Sequence, residues 1–260
     1  RKVAIKQLTA MADDNTRRMA VNELKMGHQH SAHADYLVHF IDAFFVDGKI
    51  CIAMEFCDAG SLEDVYKASR SGVPSTPLAA MTVQMLRGLQ YLHKELHQLH
   101  RDLKPANVMI TSRGVAKLSD FGISKQLVNT SAMAITQVGT SMYMAPERLV
   151  GEGYSFPSDL WSVGIIVLEG LVGRHPFAQK RLFMDLQKAI ISDPAPLPPE
   201  GTLPEIAEFL EQCLRKEVSG RGGRPSIQKL VGGAWLREHG ADPEAVTHAY
   251  LVEVGRVEPS

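Results

Sequence analysis

The sequence predicts an α+β chain in two lobes, a small one built on strands followed by a larger one built on helices. Three observations carry this. The first third holds short alternating or apolar runs, Lys2 to Leu8, Tyr36 to Val46 and Lys49 to Phe56, around one polar periodic stretch near Asp14 to Met26. After Gly60 the period changes, and Leu78, Met81, Met85, Leu89 and Leu92 recur at helical spacing. Further on, Ser158 to Val172 is apolar nearly all round, as a helix buried on every side must be.

Each element has a local reason. Asp47-Gly48 joins two strand runs as a hairpin, because both residues tolerate positive φ. Ser61 with Asp64 three residues on reads as a capping box that opens a short helix. The stripe from Leu78 to Leu92 makes the next helix amphipathic and lays it on a core. Asp193 to Pro204 carries five prolines and reads as a loop, since proline removes a donor and clashes within helices. Helices are then expected over Glu205 to Arg215, Ser226 to Glu238 and Pro243 to Tyr250. The lobes should meet near Glu55 to Gly60.

Composition narrows the function. Of 260 residues, 45% are apolar and 22% charged, so the chain can bury a core and is not a disordered polymer. The 28 Lys+Arg against 29 Asp+Glu leave a formal charge of −1, which argues against the basic footprint of a nucleic-acid or polybasic membrane binder. Cys51, Cys57 and Cys213 form no CxxC pair, which points to a reducing, cytoplasmic setting. The most apolar stretch, Val163 to Val172, is interrupted by Glu169 and falls short of the ~20 residues a membrane crossing needs. Arg1 opens the chain without a methionine and reads as a cut.

Chemistry concentrates in His100-Arg101-Asp102-Leu103-Lys104-Pro105-Ala106-Asn107, which sets a carboxylate, an ammonium and an amide at fixed offsets on an irregular segment. Asp120-Phe121-Gly122 follows, its Asp thirteen residues after Asn107. Two such oxygens converging from separate loops suit Mg²⁺. Val3-Ala4-Ile5-Lys6 puts a lysine on a strand facing inward, and Glu23 follows on a predicted helix. Such a pair holds an ammonium in place to grip phosphates. His28, His30 and His33, and His93 with His97, read as exposed, solvated histidines, because no third ligand converges on them. Cys57 reads as a lining residue.

From Val3 to about Trp235 the sequence resembles the eukaryotic protein kinases. The resemblance implies a bilobal protein kinase fold. The catalytic domain would cover 1–239, with the N-lobe at 1–56, the hinge at 55–60 and the C-lobe at 61–239, and 240–260 would be a C-terminal extension. It further implies that Asp102 accepts or orients the substrate hydroxyl proton and that Lys104 steadies the transferred phosphoryl. Asn107 and Asp120 would hold Mg²⁺, and Lys6, fixed by Glu23, would contact the α- and β-phosphates of ATP. Ala4 and Met109 sit where kinases clamp adenine, Met54 takes the gatekeeper place, the backbone of Glu55 and Cys57 would pair with the base, and Ser61 would reach the ribose. Glu147, in Ala145-Pro146-Glu147, would pair with Arg224, and Asp159 would brace the catalytic loop. No glycine-rich loop precedes Lys6, so residues 1–260 are expected to bind nucleotide weakly and transfer phosphate poorly; Gly27 stands where an apolar residue is usual, which sets Glu23 one position off or ends its helix early.

Within the kinases, Met54 to Leu62, Asp120 to Leu127 and Val138 to Arg148 are similar to the MAP kinase kinases. That resemblance implies transfer to a threonine and a tyrosine in the activation loop of a MAP kinase. It also implies an upstream activating kinase acting on Thr130 and Thr136, at plant-type spacing, with Ser131 in reserve; such a phosphate could pair with Arg101. Two alternatives stay open. One is another serine/threonine kinase higher in the same cascade, the other a silent scaffold that binds a MAP kinase.

Overall fold

The structure is a computed structural model, and it describes residues 2–9, 21, 34–69, 71–121, 141–153, 155–180, 182–220 and 222–259. Three antiparallel strands, β1 (Val3–Thr9), β2 (Phe40–Val46) and β3 (Lys49–Glu55), form a sheet in the order β1-β3-β2. Register sets Ala4 opposite Met54 and Lys6 opposite Ile52. The strand period of two puts Ala4, Lys6 and Leu8 on the half-buried face of β1, with Val3, Ile5 and Gln7 exposed. The hairpin between β2 and β3 turns as expected, with Asp47 and Gly48 both at positive φ, 48° and 75°. Beneath the sheet lies a small cluster of Ala43, Ile50 and Ile52, against which Leu8, Val21, Phe40 and Met54 pack.

One strand is shorter than expected. The run from Tyr36 enters β2 only at Phe40, because the preceding backbone pairs elsewhere: Val38 N–H donates to Leu118 O and Leu118 N–H to Tyr36 O, both at 2.9 Å. Leu37 is fully buried there, so the chain is stitched to the C-lobe before it enters β2.

The helical lobe begins where β4 (Gly60–Ser61) meets α1 (Leu62–Ala68). The predicted capping box is present, with Ser61 Oγ accepting the Asp64 N–H and Asp64 Oδ2 accepting the Ser61 N–H. α2 (Ser75–Lys94) buries its Leu78-to-Leu92 stripe. β5 (Val108–Ile110) and β6 (Ala116–Leu118) join β4 in a second small sheet, whose strands of two and three residues are too short to show a period. After α3 (Pro146–Leu149) comes α4 (Phe156–Val172), the centre of the lobe, with Trp161, Val163, Ile165, Ile166 and Val167 at zero exposure. It stops at Gly173, whose φ of 74° favours glycine.

Three boundaries differ from expectation. α5 (Phe183–Ile191) precedes the proline loop and buries Leu186, Ala189 and Ile190; it has too few turns to announce itself by period. α6 (Pro204–Cys213) ends two residues early. The helix expected over Ser226 to Glu238 is two, α7 (Ile227–Val231) and α8 (Ala234–His239), because Gly232 and Gly233 interrupt it and Gly233 turns to extended backbone as the new N-cap. α9 (Pro243–Glu253) is the last helix among the described residues. Among the described residues no helix is long and apolar enough to cross a membrane.

Candidate active site

The irregular segment of residues 100–107 is held from below. Asp159, in the first turn of α4, accepts the backbone N–H of His100 on Oδ2 at 3.0 Å and that of Arg101 on Oδ1 at 3.1 Å, and His93 Nε2 lies 2.8 Å from the same Oδ2. Burial alone would raise the Asp159 carboxyl, but the His93 hydrogen bond and the facing histidines outweigh it and hold it below its ordinary range. His93 is thus buried and committed, not solvated as its spacing suggested; His97 is exposed. The signal missed was that a polar residue on the apolar face of α2 requires a buried partner. Arg101 and Asp120 are held at φ 71° and 61°, a region costly for residues with a side chain, so the surrounding bonds must over-determine both turns.

On this brace the polar groups converge. Asn107 Nδ2 donates to Asp102 O at 2.7 Å and Oδ2 at 3.0 Å, while Lys104 Nζ donates to Oδ2 at 3.0 Å and Oδ1 at 3.3 Å. A 3-10 turn over Pro105–Asn107 sets these offsets, closed by Asn107 N–H on Lys104 O. Ser119 donates its N–H and its hydroxyl to Asn107 O, which brings Asp120 alongside. From the opposite lobe Lys6 Nζ reaches Asp120 Oδ1 at 2.7 Å, the contact that joins the two halves of the site. Phe121 is buried behind it and lines a small cavity with Val38, Phe40, Ile52 and Met54.

The connection between lobes carries its own ion pair. Lys117 Nζ, nearly buried in β6, donates to Glu55 Oε2 at 2.8 Å, and the same oxygen accepts the His39 N–H at 3.2 Å. Burial would raise the Glu55 carboxyl, yet the Lys117 hydrogen bond keeps it low. Glu55 N–H donates to His39 O, so only its carbonyl could face a ligand. Burial pushes the Cys57 thiol up to about 12, which keeps it protonated near neutral pH. Ala4 and Met109 are half-buried, Met109 standing opposite Ser61 in the second sheet. Ser61 Oγ also donates to Asp64 Oδ2 at 2.8 Å, so that hydroxyl is engaged in the helix cap. The Glu55–Lys117 pair was not foreseen, although a lone lysine between apolar Ala116 and Leu118 is the mark of a buried partner.

Below the site, Arg224 grips Glu147 bidentately at 2.6 and 2.8 Å, Ser158 Oγ adds a third bond at 2.7 Å, and the guanidinium lies over the Trp161 ring. Arg148 Nη1 donates to Arg101 O at 2.7 Å. Glu23, Thr130, Ser131 and Thr136 lie outside the described residues.

A strand lysine, a loop carboxylate and a second carboxylate meeting between a small sheet and a helical lobe define a site suited to an anionic, metal-bound ligand. Residues 1–236 match the model of the protein kinase domain. The chain is 44% identical over 175 residues, 67% of its length, to a dual specificity mitogen-activated protein kinase kinase 1 of Dictyostelium discoideum. It is 37% identical to mitogen-activated protein kinase kinase 2 of Arabidopsis thaliana and 36% identical to mitogen-activated protein kinase kinase 1c of Physcomitrium patens, over 91% of its length in each case. The chain belongs to the protein kinase family, on its MAP kinase kinase branch. It spans 26%, 65% and 69% of the length of those three relatives.

Proposed function

We propose that the protein is an ATP- and Mg²⁺-dependent MAP kinase kinase that phosphorylates a threonine and a tyrosine of a MAP kinase and is switched on by an upstream kinase at Thr130 and Thr136. The observation that carries the reading is the convergence of Lys6, Asp102, Lys104, Asn107 and Asp120 on one side of the braced loop.

The donor set fits a divalent cation: Asn107 spends its amide N–H groups on Asp102, which leaves its oxygen as a ligand beside the Asp120 carboxylate. Bound there with ATP, the ion would neutralise phosphate charge. The chain's own residues do the positioning. Asp102, held by Lys104 and Asn107, presents its carboxylate to the hydroxyl of the substrate and takes its proton. Lys104, already beside that carboxylate, offers an ammonium to the phosphoryl in transit. Lys6 exchanges part of its pairing with Asp120 for phosphate oxygens. Ala4 and Met109 would flank the base, with Glu55 O and the Cys57 backbone along its edge. Little covalent chemistry falls to the protein, and fixed charges supply most of the effect.

The test is transfer from labelled ATP to an inactive MAP kinase after activation by an upstream kinase, with the acceptor sites read by mass spectrometry. Threonine and tyrosine should both be labelled, and Asp102→Asn should abolish labelling while binding of the MAP kinase persists. Labelling confined to serine or threonine of unrelated proteins would place the chain higher in the cascade. Binding without any transfer would leave the scaffold reading standing.

A further inference from the structure

The kinase domain match ends at residue 236, yet the chain beyond it is fastened to the helical lobe at several points. Gln84, buried in α2, donates to Thr247 Oγ1 and to Pro243 O on α9, and accepts the Ala116 N–H of β6. Tyr250 OH donates to Ser69 Oγ at 2.7 Å, and His248 Nδ1 lies 2.7 Å from Ser112 O. Thr247 and Leu251 are fully buried. These bonds make α9 part of the lobe and aim the turn after it at the hinge.

Two contacts then reach residues 58–60. Ser112, touched by His248, donates its N–H and hydroxyl to the Asp58 carboxylate at 2.6 and 2.8 Å. Arg256 Nη2 donates to Ala59 O at 2.9 Å and stands 3.9 Å from Asp64 Oδ2, the carboxylate that caps α1. Gly60 adopts φ 87°, and a Cβ there would come within 2.5 Å of Arg256 Nη2, so a glycine is what lets the guanidinium approach. On its other side Ala59 N–H donates to Ile110 O at 3.0 Å. Both backbone polar groups of Ala59 are therefore tied down, one by the lobe and one by the extension.

We infer that residues 243–257 form a strap whose Arg256 is a positioning residue for the nucleotide base: it fixes the exit of the hinge and through it the backbone of Glu55 and Cys57. This rests on the kinase reading. Arg256 touches neither the carboxylates nor Lys6, so it acts on base recognition and not on phosphoryl transfer.

Two measurements on the full chain test it. In the transfer assay Arg256→Ala should raise KM for ATP by about threefold to tenfold, the range a single charge-assisted hydrogen bond controls, with kcat and KM for the MAP kinase within about twofold. Affinity for Mg·ADP should fall by the same factor, inhibition by tripolyphosphate should not move, and Arg256→Lys should recover most of the loss. Without nucleotide, Arg256→Ala should speed amide exchange at Ala59 to Ser61 by about tenfold while α4 stays protected. Unchanged Mg·ADP affinity, or a fall in kcat and tripolyphosphate binding alongside it, overturns the inference. If the wild type binds no Mg·ADP the kinase reading fails, and the strap then stands or falls on exchange alone, unaltered exchange at 59–61 overturning it.

Discussion

Among the described residues the small lobe's own cluster is Ala43, Ile50 and Ile52, with Cys51 and Ala53 also buried in β3, while the large one packs Trp161, Trp235 and the apolar face of nearly every helix into a single core. The polar groups divide the same way. Asp102, Lys104, Asn107 and Asp120 stand on the large lobe, next to a backbone that Asp159 holds at His100 and Arg101, whereas among the described residues the small lobe contributes Lys6 by one ion pair. Among the described residues the candidate site is thus held by several bonds on one side of the cleft and by one on the other, as suits a site whose ligand must enter between them.

The sharpest way to break this contrast is Arg224→Ala. Removing one partner of the buried pair leaves the Glu147 carboxylate without its counter-charge, and urea denaturation should show a loss of about 3–5 kcal/mol. The same truncation made once in each lobe measures the contrast directly. Ile165→Ala, inside α4, should cost about 4 kcal/mol, and Ile52→Ala about 2 kcal/mol, because a smaller cluster can collapse further around the lost methylenes. Equal costs would mean the small lobe is as tightly packed as the large one.

A pH titration probes the large lobe alone. Burial lowers His175 from 6.5 to about 4, and its Nδ1 accepts the Phe177 N–H at 3.1 Å, a bond that only the neutral ring can make. The folded value is depressed, so the contribution is complete above 6.5 and drains away as the pH falls toward 4, by roughly 2 kcal/mol after allowance for partial exposure. His175→Asn should flatten that part of the stability curve. The smallest stability effect belongs to the residue with a large functional one: Lys6→Met should cost under about 1 kcal/mol, the ion pair being partly exposed, while phosphate transfer disappears.

Residues whose chemistry sits in one local segment were readable from sequence. Asp102, Lys104 and Asn107 share a single turn, and the structure brings them together with Asp120 and Lys6. The Asp159 brace and the Glu147–Arg224 pair also stand as expected. Partnerships made only by packing were not readable. His93 needed the rotation of α2 against α4, Lys117 needed β6 to lie beside Glu55, and the split between α7 and α8 hangs on two glycines inside an otherwise helical pattern. The extension carried no motif at all, and its attachment shows only in the bonds of Gln84, Tyr250 and Arg256.

The three thiols have a practical side. Cys51, Cys57 and Cys213 are the chain's whole complement, all are buried, and burial lifts two of them far above neutral pH. Buried as they are, these three thiols should react slowly with maleimides. A cysteine introduced at exposed Met184 on the large lobe and another at Lys49 on the small one would accept a fluorophore pair without background, turning the cleft between lobes into a distance that can be followed in solution.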